Sequence, residues 1–246
     1  MQPFSLLLGL GTLAGLLLAG WRAPQKATIR YVDASVLVLF GSLLGSRAVS
    51  VAVNWGYYSA HLGEIIQVWL GGLSAIGALA GGVLAVFIVA IWLELPVGAL
   101  ADVLLPLAGS ITVTSWLGCW MGSCAYGWPS NLVFALPSHD EWGVLAPRIP
   151  VQLVGAVLTL IFFWWLDSAS KRLTVPGLSA SFGLFGLAAL LFGLSYLRAD
   201  PVPVWRGLRL EAWGAVGLMI ISAVFILACL VRWRLKKASL PARRAL

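Results

Sequence analysis

The chain has 246 residues, 61% of them hydrophobic and only 10% charged, a balance that excludes a soluble globular domain and marks an integral membrane protein. Its formal net charge of +7 falls in short segments between long apolar runs. It therefore reads as topology and as attraction to anionic lipid headgroups, not as a nucleic-acid surface.

Counting in units of the roughly 20 apolar residues that cross a bilayer core, the sequence predicts seven spans, at about 4–21, 34–53, 65–93, 98–121, 151–166, 178–196 and 213–231. The expected fold is one all-α bundle of seven transmembrane helices filling a single domain over 1–246, with the termini on opposite sides. The first span has no basic segment before it and basic residues after it, which suits a retained helix rather than a cleaved signal peptide. Positive charge sets the direction. With the N-terminus outside, the inner segments collect eleven basic residues: Arg22, Lys26, Arg30, Lys171, Arg172, Arg232, Arg234, Lys236, Lys237, Arg243 and Arg244. The outer segments hold four, Arg148, Arg198, Arg206 and Arg209. The C-terminus is then cytoplasmic, and 232–246 is a basic tail.

Ionisable groups inside spans are costly and face a cavity or a partner. In the second span Arg47 is such a group; it suits either a phosphate or headgroup ligand, through its forked donors, or a helix-pairing arginine. The third span, "LGGLSAIGALAGGVLA", carries glycines at 71, 72, 77, 81 and 82. These suit a packing seam or the wall of an acyl-chain tunnel. Asp102, in the fourth span, suits a cap on backbone amides. Aromatic residues, among them Trp55, Trp69, Trp128 and Trp205, form an interfacial belt that is heavier on the outer side. Cys119, Cys124 and Cys229 are odd in number, so they indicate no disulfide framework and read as small packing residues. His61 and His139 fall in outer loops, so no metal site is expected, and no cofactor is implied.

Read in order, "LLGSRAVSVAVNWGYYSAHLGEIIQVWLGGLSAIGALAGG", "ALADVLLP", "LGCWMGSCAYGWPS", "RIPVQLVGAV" and "LRADP" resemble the prolipoprotein diacylglyceryl transferases. These are bacterial inner-membrane enzymes that move a diacylglyceryl group from phosphatidylglycerol to a lipobox cysteine. The resemblance implies seven helices, an N-out orientation, an outward-facing site and a multi-pass place in the bacterial cytoplasmic membrane. It also exposes departures. The family's helical histidine falls at Ile76 and its signature arginine at Trp116. Its "H-P-x-Q-L-Y-E" becomes Ile149 to Gly155, and a later arginine and glutamate become Leu191 and Ser195. The remaining candidates for holding lipid phosphate and hydrogen-bonding it are Arg47, Asn54, Tyr126, Arg148, Gln152 and Arg198, and no catalytic residue is assigned.

Removing one positioned donor typically costs on the order of 100-fold in rate. The expectation is therefore a catalytically silent relative that binds a phosphatidylglycerol-like phospholipid as an accessory subunit of a membrane complex. The alternative is an active phosphatidylglycerol–prolipoprotein diacylglyceryl transferase with relocated groups. A transporter is a third reading, for which the spans offer no paired carboxylates.

Overall fold

The structure, a computed structural model, describes residues 3–239. Among them are seven segments long and apolar enough to cross a membrane: Pro3–Arg22, Gln25–Val53, Ala75–Trp92, Val97–Met121, Val151–Ser170, Leu178–Ser195 and Leu210–Leu235. The helices are α1 (Pro3–Arg22), α2 (Thr28–Val53), the short α3 (Trp55–Tyr58), α4 (Ala75–Trp92), α5 (Val97–Val103), α6 (Leu105–Met121), α7 (Val151–Ser170), α8 (Leu178–Ser195) and α9 (Leu210–Ser239). The long ones form a ring in which neighbours pack in the order α1, α2, α4, α9, α8, α7, α6 and back to α1.

Two predicted spans change shape. The third was expected to begin near 65, but Gly71 and Gly72 take φ of +94° and +69°, outside helical geometry. The helix starts only at Ala75, where the Ser74 hydroxyl accepts the Gly77 amide at 3.2 Å. The fourth is split at Leu104, because Pro106 lies in the first turn of α6 and has no amide to continue the helix of α5. At the other end of the chain, α9 carries the basic run onward as helix to Ser239. Residues 240–246 of the expected tail lie outside the described residues.

The small residues of the third span serve two faces. On one, Gly77 and Gly81 meet Gly45 and Gly41 of α2 so closely that a Cβ on Gly45 would stand 2.6 Å from the Gly77 carbonyl oxygen. This is the reciprocal four-residue glycine spacing that lets two helix backbones touch. On the other face, Ala75, Ala78 and Gly82 border the central cavity. The α4–α9 seam is looser: Ile76 packs on Gly214, and further along Phe87 and Phe225 approach with ring centroids 5.7 Å apart.

The connections at one end of the bundle are the structured ones. Strands β1 (Leu136–His139) and β2 (Leu145–Arg148) form an antiparallel hairpin between α6 and α7. Strands β3 (Val204–Trp205) and β4 (Leu208–Arg209) form a second between α8 and α9. Its two-residue turn, Arg206-Gly207, has φ of +50° and +79°, the double left-handed geometry of a tight hairpin. A bridge between Gly127 and Arg198 ties the two connections together.

Candidate active site

The ring surrounds an open apolar cavity of about 850 Å³ bounded by α2, α4, α5, α6, α8 and α9, with Phe163 of α7 also on its wall. Glu211 and Arg198 border one end; Cys229 and Arg232 border the other. From residue 211 to 232 along α9 is about 30 Å of helix rise, roughly the thickness of a bilayer's hydrocarbon core. The volume lies in the upper part of the range typical of small-molecule and cofactor pockets.

The Arg198 end is the polar mouth. Arg198 donates Nε and Nη2 to the two carboxylate oxygens of Asp200 at 2.8 and 2.6 Å, and Nη1 to Glu211 Oε2 at 2.7 Å. Arg209 braces the same turn, donating to Asp200 Oδ2 at 3.0 Å and to the Arg198 and Asp200 carbonyls. Burial opposes the charge on Arg198, but hydrogen bonding and attraction from Asp200 and Glu211 outweigh it and raise its pKa above the ordinary value. The guanidinium is therefore a permanent cation. Two cations against two carboxylates leave the cluster electrically balanced, and an incoming anion competes with the carboxylates for Arg198, which borders the cavity.

Tyr126, Arg148 and Gln152 gather behind this mouth. Arg148 and Asp140 form a buried ion pair at 2.9 Å, and the Arg148 guanidinium lies over the Tyr126 ring, 4.9 Å from its centroid. Gln152 donates Nε2 to the Cys124 carbonyl at 2.9 Å, and the Tyr126 carbonyl accepts the Ala199 amide at 2.8 Å. Burial first, then Glu141, Asp140 and Asp200, push the Tyr126 phenol above its ordinary value against the pull of Arg148. It therefore stays neutral.

Arg47 and Asn54 lie elsewhere. Arg47 is buried and donates to five backbone carbonyls: Nε to Ile65, Nη1 to Gly71 and Gly72, Nη2 to Glu64 and Gln67. It also sits over Tyr58, 5.0 Å from the ring centroid. The left-handed backbone at Gly71 and Gly72 turns their carbonyls toward it. Asn54 donates Nδ2 to the Ser50 carbonyl at 2.9 Å, closing the end of α2. Neither residue borders the cavity. Asp102 acts as expected: its two oxygens accept the Gly177 and Ala180 amides at 2.7 and 2.8 Å, at the start of α8.

The positions that hold ionisable groups in the resembled family carry none here and are packed. Trp116 lays its ring on Gly155, where a Cβ would meet it at 2.6 Å, so an aromatic face on a glycine occupies the place of an arginine and a glutamate. Leu191, Ile149 and Val154 pack around the same cluster. Ile76 packs on Gly214, and the Ser195 hydroxyl turns back to the Phe192 carbonyl.

The cysteine expectation is corrected. Cys119 and Cys124 are disulfide-bonded, with Cα atoms 4.6 Å apart, and Cys229 alone is free. The last turn of α6 ends at Met121, and Gly122 with Ser123 (φ +55°) folds the chain back so that the two sulfurs meet. An odd total misled because the third cysteine borders the far end of the cavity. The usable signal was the Gly-Ser turn between two cysteines at a helix end.

Fold and site together define a polytopic α-helical membrane protein built around a lipid-sized cavity with a cation at its mouth. A family model described as prolipoprotein diacylglyceryl transferase matches residues 1–240, and the chain belongs to that family. It is 30% identical over 236 residues to the phosphatidylglycerol–prolipoprotein diacylglyceryl transferase of Thermosynechococcus vestitus, covering 87% of each chain. Against the enzymes of that name from Streptococcus uberis and Geobacillus kaustophilus it is 24% and 30% identical, over 91% and 89% of this chain and 89% and 84% of theirs. Seven apolar helices and bacterial relatives make it a multi-pass protein of the bacterial cytoplasmic membrane. These relatives overturn the expectation of a catalytically silent accessory subunit, because the transferase name runs through relatives that align along almost the whole chain. The active-enzyme alternative takes its place.

Proposed function

We propose that the chain is a diacylglyceryl transferase that uses phosphatidylglycerol as donor and a prolipoprotein cysteine thiol as acceptor, with the N-terminus and the Arg198 mouth on the outer side of the membrane. The observation that carries this reading is the cavity itself, an acyl-compatible chamber whose lining runs about the thickness of a bilayer's hydrocarbon core and whose mouth is edged by a permanent guanidinium, in a chain whose relatives bear that activity in their names. Acyl chains enter the apolar chamber and the phosphodiester comes to Arg198. Guanidinium donors then stabilise the charge that develops on the departing glycerol phosphate.

Orientation rests on two supports. Eleven basic residues against four favour N-out. The Cys119–Cys124 disulfide at the mouth end fits the oxidising outer side. Arg148, Tyr126 and Gln152 act from behind as the wall that holds residues 126–128 against 197–199, and Arg47 and Asn54 hold the loop between α2 and α4.

The test is complementation. A bacterium depleted of its own transferase regains membrane-anchored, diacylglyceryl-modified lipoproteins when this chain is expressed. Accumulation of unmodified precursors despite normal membrane levels of the protein would refute the reading.

A further inference from the structure

Transfer needs a group that removes the thiol proton, and the helix that supplies the resembled family's histidine supplies Ile76 here. The chain carries a carboxylate nearby instead. Ile76 packs on Gly214 of α9, and Glu211 lies three residues before Gly214, so the two share one face of α9 a turn apart. Glu211 borders the cavity at the mouth. Its Oε2 is held by Arg198 at 2.7 Å, its side chain is about one-third exposed, and among the described residues no hydrogen bond is made to Oε1. Arg198, Asp200 and Arg209 are the charged groups of this cluster. The helices packed against α9, namely α4 and α8, carry no titratable residue along their length.

We propose that Glu211 is the general base of the transfer, freed when the lipid phosphate takes over Arg198 and then accepting the proton of the incoming cysteine thiol at the cavity mouth. The inference rests on the transferase reading above. While Arg198 holds Glu211, the carboxylate's Oε2 is engaged by the guanidinium and the side chain is tied to it. A phosphodiester anion competes for the Arg198 donors, and its arrival releases the Glu211 carboxylate to meet the thiol at the mouth. Lipid binding thus switches on the base, and water alone does not.

The step balances. The thiol S–H bond breaks and the proton goes to a Glu211 oxygen. The sulfur lone pair forms a C–S bond to the glyceryl carbon that carried the phosphate ester, and the C–O bond breaks with its electron pair leaving on glycerol phosphate. That phosphate takes the proton from Glu211, restoring the carboxylate for its pairing with Arg198.

The experiment compares the wild-type protein, Glu211→Gln and Glu211→Asp in phosphatidylglycerol nanodiscs with a lipobox-cysteine peptide, following the thioether product by mass spectrometry from pH 6 to pH 9.5. Glutamine keeps a hydrogen bond to Arg198 and cannot take the proton, so turnover at neutral pH falls by about 100-fold with the lipid KM little changed. The deficit shrinks as pH rises past the free thiol's pKa of about 8.5, because the peptide then ionises without help. Glu211→Asp, a carboxylate set back by one methylene, gives an intermediate rate with the wild-type pH response. Equal rates for wild type and Glu211→Gln, a deficit constant across pH, or an aspartate variant no better than glutamine would each overturn the base assignment while leaving the transferase reading intact. Absence of product from the wild type at every pH would overturn both.

Discussion

Two arginines, the buried Arg47 and the partly buried Arg198, sit in opposite kinds of shell, and the contrast separates scaffold from chemistry. Arg47 is gripped by five backbone carbonyls, so releasing it for a ligand would unfold the loop between α2 and α4. Arg198 is held by two side-chain carboxylates, Asp200 and Glu211. Those can swing aside, and a phosphate offers the guanidinium the same kind of acceptor in exchange. A cation held by carbonyls fixes a shape; one held by exchangeable carboxylates can serve a reaction.

The sharpest way to break this contrast is to truncate each arginine. Arg47→Ala removes a charged donor from three well-formed bonds, at about 1.5 kcal/mol each. The expected loss is roughly 4–5 kcal/mol, read as a large drop in thermal midpoint in detergent. A folded variant with normal stability would refute the clamp. Arg198→Ala should leave the midpoint closer to wild type, because Arg209 still partners Asp200, and should lower transferase turnover by about 100-fold or more. Unchanged turnover would dissolve the distinction between the two shells.

A smaller effect comes from the disulfide that backs the mouth. Replacing Cys119 and Cys124 together by serine should cost about 2 kcal/mol, the loop-entropy value for so short a ring, and weaken the hold on the turn that leads to Tyr126. Mass spectrometry should find these two thiols blocked until reductant is added, and Cys229 free throughout. Smallest of all is Tyr126→Phe. The ring under Arg148 remains and the neutral phenol is used for no proton transfer, so stability should change by no more than about 0.5–1 kcal/mol and the pH profile should keep its shape. A shifted profile would bring Tyr126 into the chemistry.

The seven crossings were legible because hydropathy at membrane length is a strong signal. Their irregularities were not. The late start of α4 depends on positive φ at Gly71 and Gly72, and the break at Leu104 depends on Pro106; an apolar count is blind to both. At the site, the sequence named Arg198 as a candidate and showed Trp116 and Leu191 standing where the resembled family has ionisable residues. That Trp116 rests on Gly155 could not be read there, since the fit is a meeting of α6 with α7. Glu211 escaped notice for a similar reason: it looks like an ordinary carboxylate at a helix start until the β3–β4 hairpin folds it back onto Arg198. Arg47 read equally well as phosphate ligand or helix partner, and only the carbonyls around it reveal the loop it holds.

The most direct test of the central claim is the stoichiometry of a single reaction: purified wild-type protein, phosphatidylglycerol labelled in its headgroup glycerol, and a lipobox-cysteine peptide. One glycerol phosphate is expected for each diacylglyceryl thioether formed, and neither product when phosphatidylethanolamine replaces the donor. Peptide left unmodified, with the label retained in intact lipid, would contradict the claim.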